Sequence, residues 1–165
     1  MIPVVIDTLV IGTPPSPSVI VLRPLSREES SDSVLPIWIG PTEAASIGMA
    51  IQGDATERPM THDLFASFLD AAHTSLEYVT INRVEKTTFF ATVVIEHEGE
   101  TTKIDARPSD SIALALREKS PIYVDETVME LAAFPAALSP GTAEKIEEEE
   151  FHDFIESINP EDFKV

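Results

Sequence analysis

The chain contains no cysteine. A disulfide framework, a thiolate zinc site and a cysteine nucleophile are therefore excluded, and any metal must be bound through oxygen or imidazole. Glycine is scarce, at 6 in 165 residues, and neither a dinucleotide fingerprint nor a phosphate-cradling glycine loop can be written from the six. A Gly-x-Ser-x-Gly elbow and the paired-histidine helix of zinc proteases are also missing, so hydrolysis by those routes is not expected. No apolar run approaches the roughly 20 residues that span a bilayer, and Met1-Ile2-Pro3-Val4 has no basic n-region, so no membrane association and a cytoplasmic setting are expected. Positive charge is short as well. Eleven Lys and Arg stand against 29 Asp and Glu, a net charge of −18 that opposes tight, non-specific binding to nucleic acid. Residues 125–165 carry −10 of this and residues 1–124 carry −8, so much of the repulsion sits in the tail.

What is present suits one globular domain. Apolar residues make up 43% of the chain and charged residues 24%, near average globular usage. At this length about 70% of the unfolded surface can be buried. Ile2, Val4, Ile6, Thr8 and Val10 alternate as one face of a strand over Ile2 to Ile11. A Gly-Pro-rich break follows, then strands at Val19–Leu22 and Leu35–Ile39. Pro41, Thr42 and Glu43 open a helix to Ile51 that is apolar nearly all round, which predicts burial or a subunit interface. Thr61 is the expected N-cap of a second helix, with Leu64, Phe65, Phe68 and Leu69 as its apolar stripe. Three strands follow, at Leu76–Lys86, Thr88–His97 and Thr101–Ala106, with Glu98-Gly99-Glu100 turning the last hairpin. Pro108, Ser109 and Asp110 open another apolar helix, ending near Lys119, and a short strand and helix occupy Pro121 to Ala133.

The fold class expected is α+β: mainly antiparallel strands, two buried apolar helices and a C-terminal acidic amphipathic helix. Three strands followed by Pro, hydroxyl, acid and an apolar helix occur twice, which raises an internal β-β-β-α duplication against the plainer reading that good helix-start chemistry is used twice. The organisation expected is a domain over 1–133, a linker over 134–141, and an acidic helix and tail over 142–165. In that tail Ile146, Phe151, Phe154, Ile155 and Ile158 form a helical stripe, and Glu147–Glu150 read as a solvated face.

Two segments could carry chemistry. Asp105-Ala106-Arg107-Pro108-Ser109-Asp110 joins a strand end to a helix start and gathers two carboxylates, a guanidinium and a hydroxyl. Asp105 and Asp110 could hold Mg²⁺ or Mn²⁺ while Arg107 clamps a phosphate. Alternatively, Ser109 and Asp110 cap the helix and Arg107 pairs with Asp105. His62 and Asp63 set an imidazole beside a carboxylate, suited to general-base work or to a metal, with capping the cheaper explanation. His73, His97 and His152 lack polar company. Trp38 could stack on a base but fits a core strand better.

Taken together, Leu35-Pro36-Ile37-Trp38-Ile39-Gly40, Glu43-Ala44, Arg58-Pro59-Met60-Thr61-His62-Asp63-Leu64, Asp105-Ala106-Arg107-Pro108-Ser109-Asp110-Ser111 and Pro121-Ile122-Tyr123-Val124 resemble the bifunctional nuclease domain family over residues 4–133. Phe154-Ile155 and Asn159-Pro160-Glu161-Asp162-Phe163 resemble the ending of actinobacterial-type members. The resemblance implies an α+β domain, usually a dimer, that cleaves DNA and RNA with a divalent metal and little sequence preference. With that activity, the junction residues above would supply the site: Asp105 and Asp110 would bind the metal, with Asp63 a third ligand, and Arg107 would hold the scissile phosphate. Ser109 would supply a hydroxyl to the site, and His62 or a metal-bound water would act as base or nucleophile. DNA or RNA would be bound weakly, given the charge. The rival reading is a non-catalytic oligomeric module for binding or regulation.

Overall fold

The computed structural model describes residues 1–13, 16–25, 33–54 and 56–136. The expected acidic helix and tail, with His152, lie outside the described residues. In chain order the elements are β1 (Ile2–Val10), β2 (Ser18–Pro24), β3 (Ser33–Ile39), α1 (Pro41–Gln52), α2 (Thr61–Ala71), β4 (Thr74–Glu85), β5 (Thr88–His97), β6 (Glu100–Ala106), α3 (Pro108–Glu118), β7 (Ile122–Val124), α4 (Glu126–Ala132) and β8 (Phe134–Pro135). The eight strands form one sheet in the order β6-β5-β4-β7-β1-β2-β3-β8, and its one parallel pair is β4 with β7. The fold is α+β. Phe134 and Pro135, expected in the linker, pair with Val34 and Ser33 and extend the sheet instead.

The order of strands has a simple symmetry. Two meanders, β1-β2-β3 and β4-β5-β6, flank β7, which runs antiparallel to β1 and parallel to β4. β1 and β4 therefore run in opposite directions, as a twofold axis through β7 and normal to the sheet requires. Such an axis sends the helices that end the two units to one face, where α1 packs against α3. The β-β-β-α topology is thus repeated, with α2 added between the units.

Alternation then sorts the side chains. Ile20, Leu22, Leu35, Ile37, Val79, Ile81 and Val93 face the helices in one apolar cluster with Ile47, Leu69, Ile112 and Val128. On the other face Val19, Val21 and Val34 pack with Trp38 and Ala136, so Trp38 is a packing residue. β1 departs from strict alternation. A bulge between Ile6 and Thr8 inserts Asp7, after which Leu9, not Thr8 or Val10, packs against the core.

The two apolar helices are buried unequally. α3 is buried from Pro108 to Ala115 except at Asp110, whereas α1 buries Ala44, Ser46 and Ile47 and leaves Ala45 and Ile51 exposed. α2 departs further from expectation: Leu69 is buried, but Leu64, Phe65 and Phe68 stand 64%, 45% and 63% exposed. Among the described residues no helix is long and apolar enough to cross a membrane.

Candidate functional site

Both proline-led helix starts contribute to one cluster. Pro108 occupies the first turn of α3, where a missing N–H costs nothing, and Arg107 precedes it in extended backbone as the N-cap. Two residues on, Asp110 accepts from Arg107 Nε at 2.6 Å and Nη2 at 3.0 Å, a bidentate clamp. The remaining terminal nitrogen, Nη1, donates to Glu43 Oε1 at 3.1 Å. Glu43 stands two residues past Pro41 as Asp110 does past Pro108, so the repeated start sets one carboxylate from each unit on a single guanidinium. Gly40 makes room for this. A Cβ there would lie 2.2 Å from Glu43 Oε2.

α2 supplies the other half. His62 Nδ1 lies 2.9 Å from the Oγ of buried Ser46 on α1, and Nε2 lies 3.3 Å from Asp110 Oδ1. Asp63 accepts the Met60 N–H at 2.8 Å, so the helix start is capped by Asp63 and not by Thr61, which is already helical. Its other oxygen accepts from Arg117 Nε. Arg117, in the last turn of α3 with an 11% exposed side chain, also donates to the Ala113 carbonyl at 2.8 Å and reaches the Ser46 carbonyl and hydroxyl at 3.4 Å. The chain of contacts Glu43–Arg107–Asp110–His62–Ser46–Arg117–Asp63 ties three helices together.

The network assigns its own protons. An ionised Asp110 accepts, so His62 carries hydrogen on Nε2. Arg117 donates to Ser46, leaving the hydroxyl hydrogen for Nδ1. A neutral His62 satisfies every partner. Protonation at Nδ1 requires the Ser46 hydroxyl to turn. Burial pushes Asp110 up, but the hydrogen bonds and charge of Arg107, with His62, outweigh it and hold the carboxyl below its ordinary range. The Arg117 hydrogen bond, helped by the Met60 N–H, likewise holds Asp63 low. Asp110 in turn raises the Arg107 guanidinium above its usual value.

The structure brings His62, Asp63, Arg107 and Asp110 together and leaves two expected residues apart. On β6, Ile104 pairs with Val93 and Ala106 with Ala91, both on the helix face, so Asp105, opposite Thr92, points to the other face. The sheet separates it from Asp63 and Asp110, and Arg107 pairs with Asp110 and Glu43 in its place. Ser109 is 6% exposed and makes no side-chain hydrogen bond to the network. The aspartates expected to share Mg²⁺ or Mn²⁺ do not fit one ion as they stand. Asp63 and Asp110 are each taken by a guanidinium, and among the described residues no group of three His, Asp or Glu can hold a metal. His97 does have polar company: its Nδ1 lies 3.2 Å from Thr74 Oγ1 and 3.4 Å from the His73 carbonyl oxygen.

Sequence reasoning passed over three members. Glu43 was legible only as a helix-dipole acid, although the repeated start marks it as the partner of Asp110. Arg117 lies seven residues past Asp110, hence on the same face of α3 two turns on. Ser46 carried no signal: it reads as a small interruption in an apolar helix.

A family model described as the bifunctional nuclease domain matches residues 24–137. The chain is 40% identical over 146 residues to an uncharacterized protein of Mycobacterium tuberculosis (strain H37Rv), covering 86% of this chain and 87% of that one. It is 26% identical over 107 residues to bifunctional nuclease 1 of Oryza sativa subsp. indica, covering 63% of this chain and 32% of the rice protein. To bifunctional nuclease 2 of Oryza sativa subsp. japonica it is 26% identical over 117 residues, 69% of this chain and 35% of that one.

Proposed function

Because the chain belongs to the bifunctional nuclease domain family, we propose that it hydrolyses phosphodiester bonds of DNA or RNA at the cluster around Arg107. The observation that carries this reading is the state of that guanidinium. Its side chain is 65% exposed, yet three of its N–H groups are fixed by Asp110 and Glu43. A guanidinium has five such donors, so two remain for a phosphate oxygen, in a plane set in advance by two helices. Arg107 then binds the phosphodiester and stabilises the charge that builds on it. Asp110 and Glu43 position Arg107. His62, 3.3 Å from Asp110 Oδ1 through Nε2 and 2.9 Å from Ser46 Oγ through Nδ1, positions the carboxylate that holds Arg107.

A cation at this cluster would have to draw Asp63 or Asp110 away from its arginine. Three carboxylates, Glu43, Asp63 and Asp110, stand against the two guanidiniums of Arg107 and Arg117, so substrate binding is weak and salt-sensitive. The test is cleavage of labelled single-stranded DNA and RNA by protein prepared in Mg²⁺, in Mn²⁺ and in EDTA, beside Asp110→Asn. Cleavage lost in the variant supports the site; equal cleavage by both proteins removes it.

A second reading, an oligomeric binding module, is favoured by α2. Met60, Leu64, Phe65 and Phe68 are all 44% exposed or more on one stretch of chain. A second copy seated there makes a homodimer, and light scattering that gives the mass of two chains, reduced to one by Phe68→Asp, supports it.

A further inference from the structure

An aromatic ring stands at the corner of the sheet where Arg107 leaves it. β5 alternates, with Phe89, Val93 and Ile95 against the helices and Phe90 and Thr92 on the opposite face. Across from Phe90 on β4 is Arg83, whose guanidinium carbon lies 3.8 Å from the centre of the ring and which pairs in turn with Glu85. One face of Phe90 is thereby covered from the β4 side. No strand covers the other. The β5–β6 ladder ends at Ala91 with Ala106, so β6 sets no residue across from Phe90, and the chain departs there as Arg107 to begin α3. Side chains stand nearly perpendicular to a sheet, so the second face of the ring looks toward that point of departure. Adjacent strands lie about 4.8 Å apart, a gap that one nucleotide bridges.

Charge marks the same corner. Arg83, Lys86 in the β4–β5 turn, Lys103 on β6 and Arg107 are four of the eleven basic residues in a chain of net charge −18, and all four are exposed. Glu85 is taken by Arg83, but Asp105 is exposed between Lys103 and Arg107. Attraction to phosphate is therefore partly cancelled, and stacking, which salt does not screen, has to supply what charge does not. We propose that Phe90 is a base-stacking platform for single-stranded nucleic acid: with one phosphate on Arg107, the neighbouring nucleobase lies on the open face of Phe90, Arg83 backs the ring, and the strand passes among Lys86 and Lys103. This rests on the reading of Arg107 as the phosphate-binding residue. The platform favours single strands, because the bases of a duplex are already stacked on one another, and it is indifferent to sequence, because every base has a π-face.

The test separates bases from phosphates. Binding of the full chain to a labelled short oligothymidylate and to an abasic strand of the same length, both with cleavage-resistant phosphorothioate linkages, is measured by fluorescence anisotropy at low salt. The parent chain is expected to bind the oligothymidylate about fivefold or more tighter than the abasic strand. Phe90→Leu, which keeps an apolar side chain against Arg83 but has no π-face, binds the two alike, whereas Phe90→Tyr keeps the preference and so tells a loss of stacking from a loss of folding. Arg107→Ala weakens both strands by the same factor and leaves their ratio unchanged. No preference in the parent chain, or a preference that survives Phe90→Leu, would overturn the proposal. Unchanged binding of both strands by Arg107→Ala, with the preference still lost in Phe90→Leu, keeps Phe90 as the stacking face and removes Arg107 as the phosphate site.

Discussion

At the scale of the residue, the cluster shows why a pair of charges needs its surroundings to be interpreted. Arg117 is almost covered and serves Asp63, the Ala113 carbonyl and Ser46 at once, so its removal strands several polar groups. Arg117→Ala is expected to lower stability by about 2 kcal/mol, read as a shifted midpoint in urea. The acid response follows from the two depressed carboxyls. Asp63 and Asp110 have folded pKa values below their unfolded ones, so the unfolded chain binds more protons in the acid range. Their stabilisation is complete above the ordinary carboxylate range and is lost as pH falls through the lowered values. Thermal midpoints should therefore drop below about pH 4, and Asp63→Asn should fall less steeply than the parent chain. His62, Asp63, Arg107 and Asp110 were legible because imidazole, carboxylate and guanidinium at helix starts announce themselves. Ser46 was not, because a buried hydroxyl in an apolar run has no meaning until the neighbouring helix is known.

At the scale of the element, the pattern of the chain foretold the helices and every strand except β8, for period 2 and period 3.6 are strong signals over these lengths. It failed where one residue or one neighbour changes the outcome. The bulge at Asp7 rotates the end of β1, so Leu9 takes the core place that alternation assigns to Thr8 and Val10. The stripe on α2 was read correctly as apolar, but period alone cannot tell a seated face from an open one, and Leu64, Phe65 and Phe68 face water. Helix ends offer a clean prediction. α1 is closed by Gly53 at φ 71°, but α3 is closed by exposed Lys119 at φ 55°, where a Cβ is costly. Lys119→Gly is expected to gain about 1 kcal/mol and raise the thermal midpoint by about 2–4 °C in calorimetry.

At the scale of the molecule, the repeated unit explains how the site is built. A twofold arrangement brings two helix starts to one face, and two acids at equal offset from their prolines close on one guanidinium. The same geometry defeats the sequence-based metal set, because alternation along β6 sends Asp105 through to the far side of the sheet. Neighbours in sequence are not neighbours in a site when a strand lies between them. The central claim is that Arg107, pinned by Glu43 and Asp110, binds the phosphodiester that is cut. It is tested most directly by measuring kcat/KM for single-stranded DNA with the parent chain and Arg107→Ala, purified in parallel and shown by circular dichroism and thermal midpoint to be equally folded. The account predicts a loss of about 100-fold or more, about 2.7 kcal/mol of transition-state stabilisation. An unchanged kcat/KM in the folded variant would contradict it.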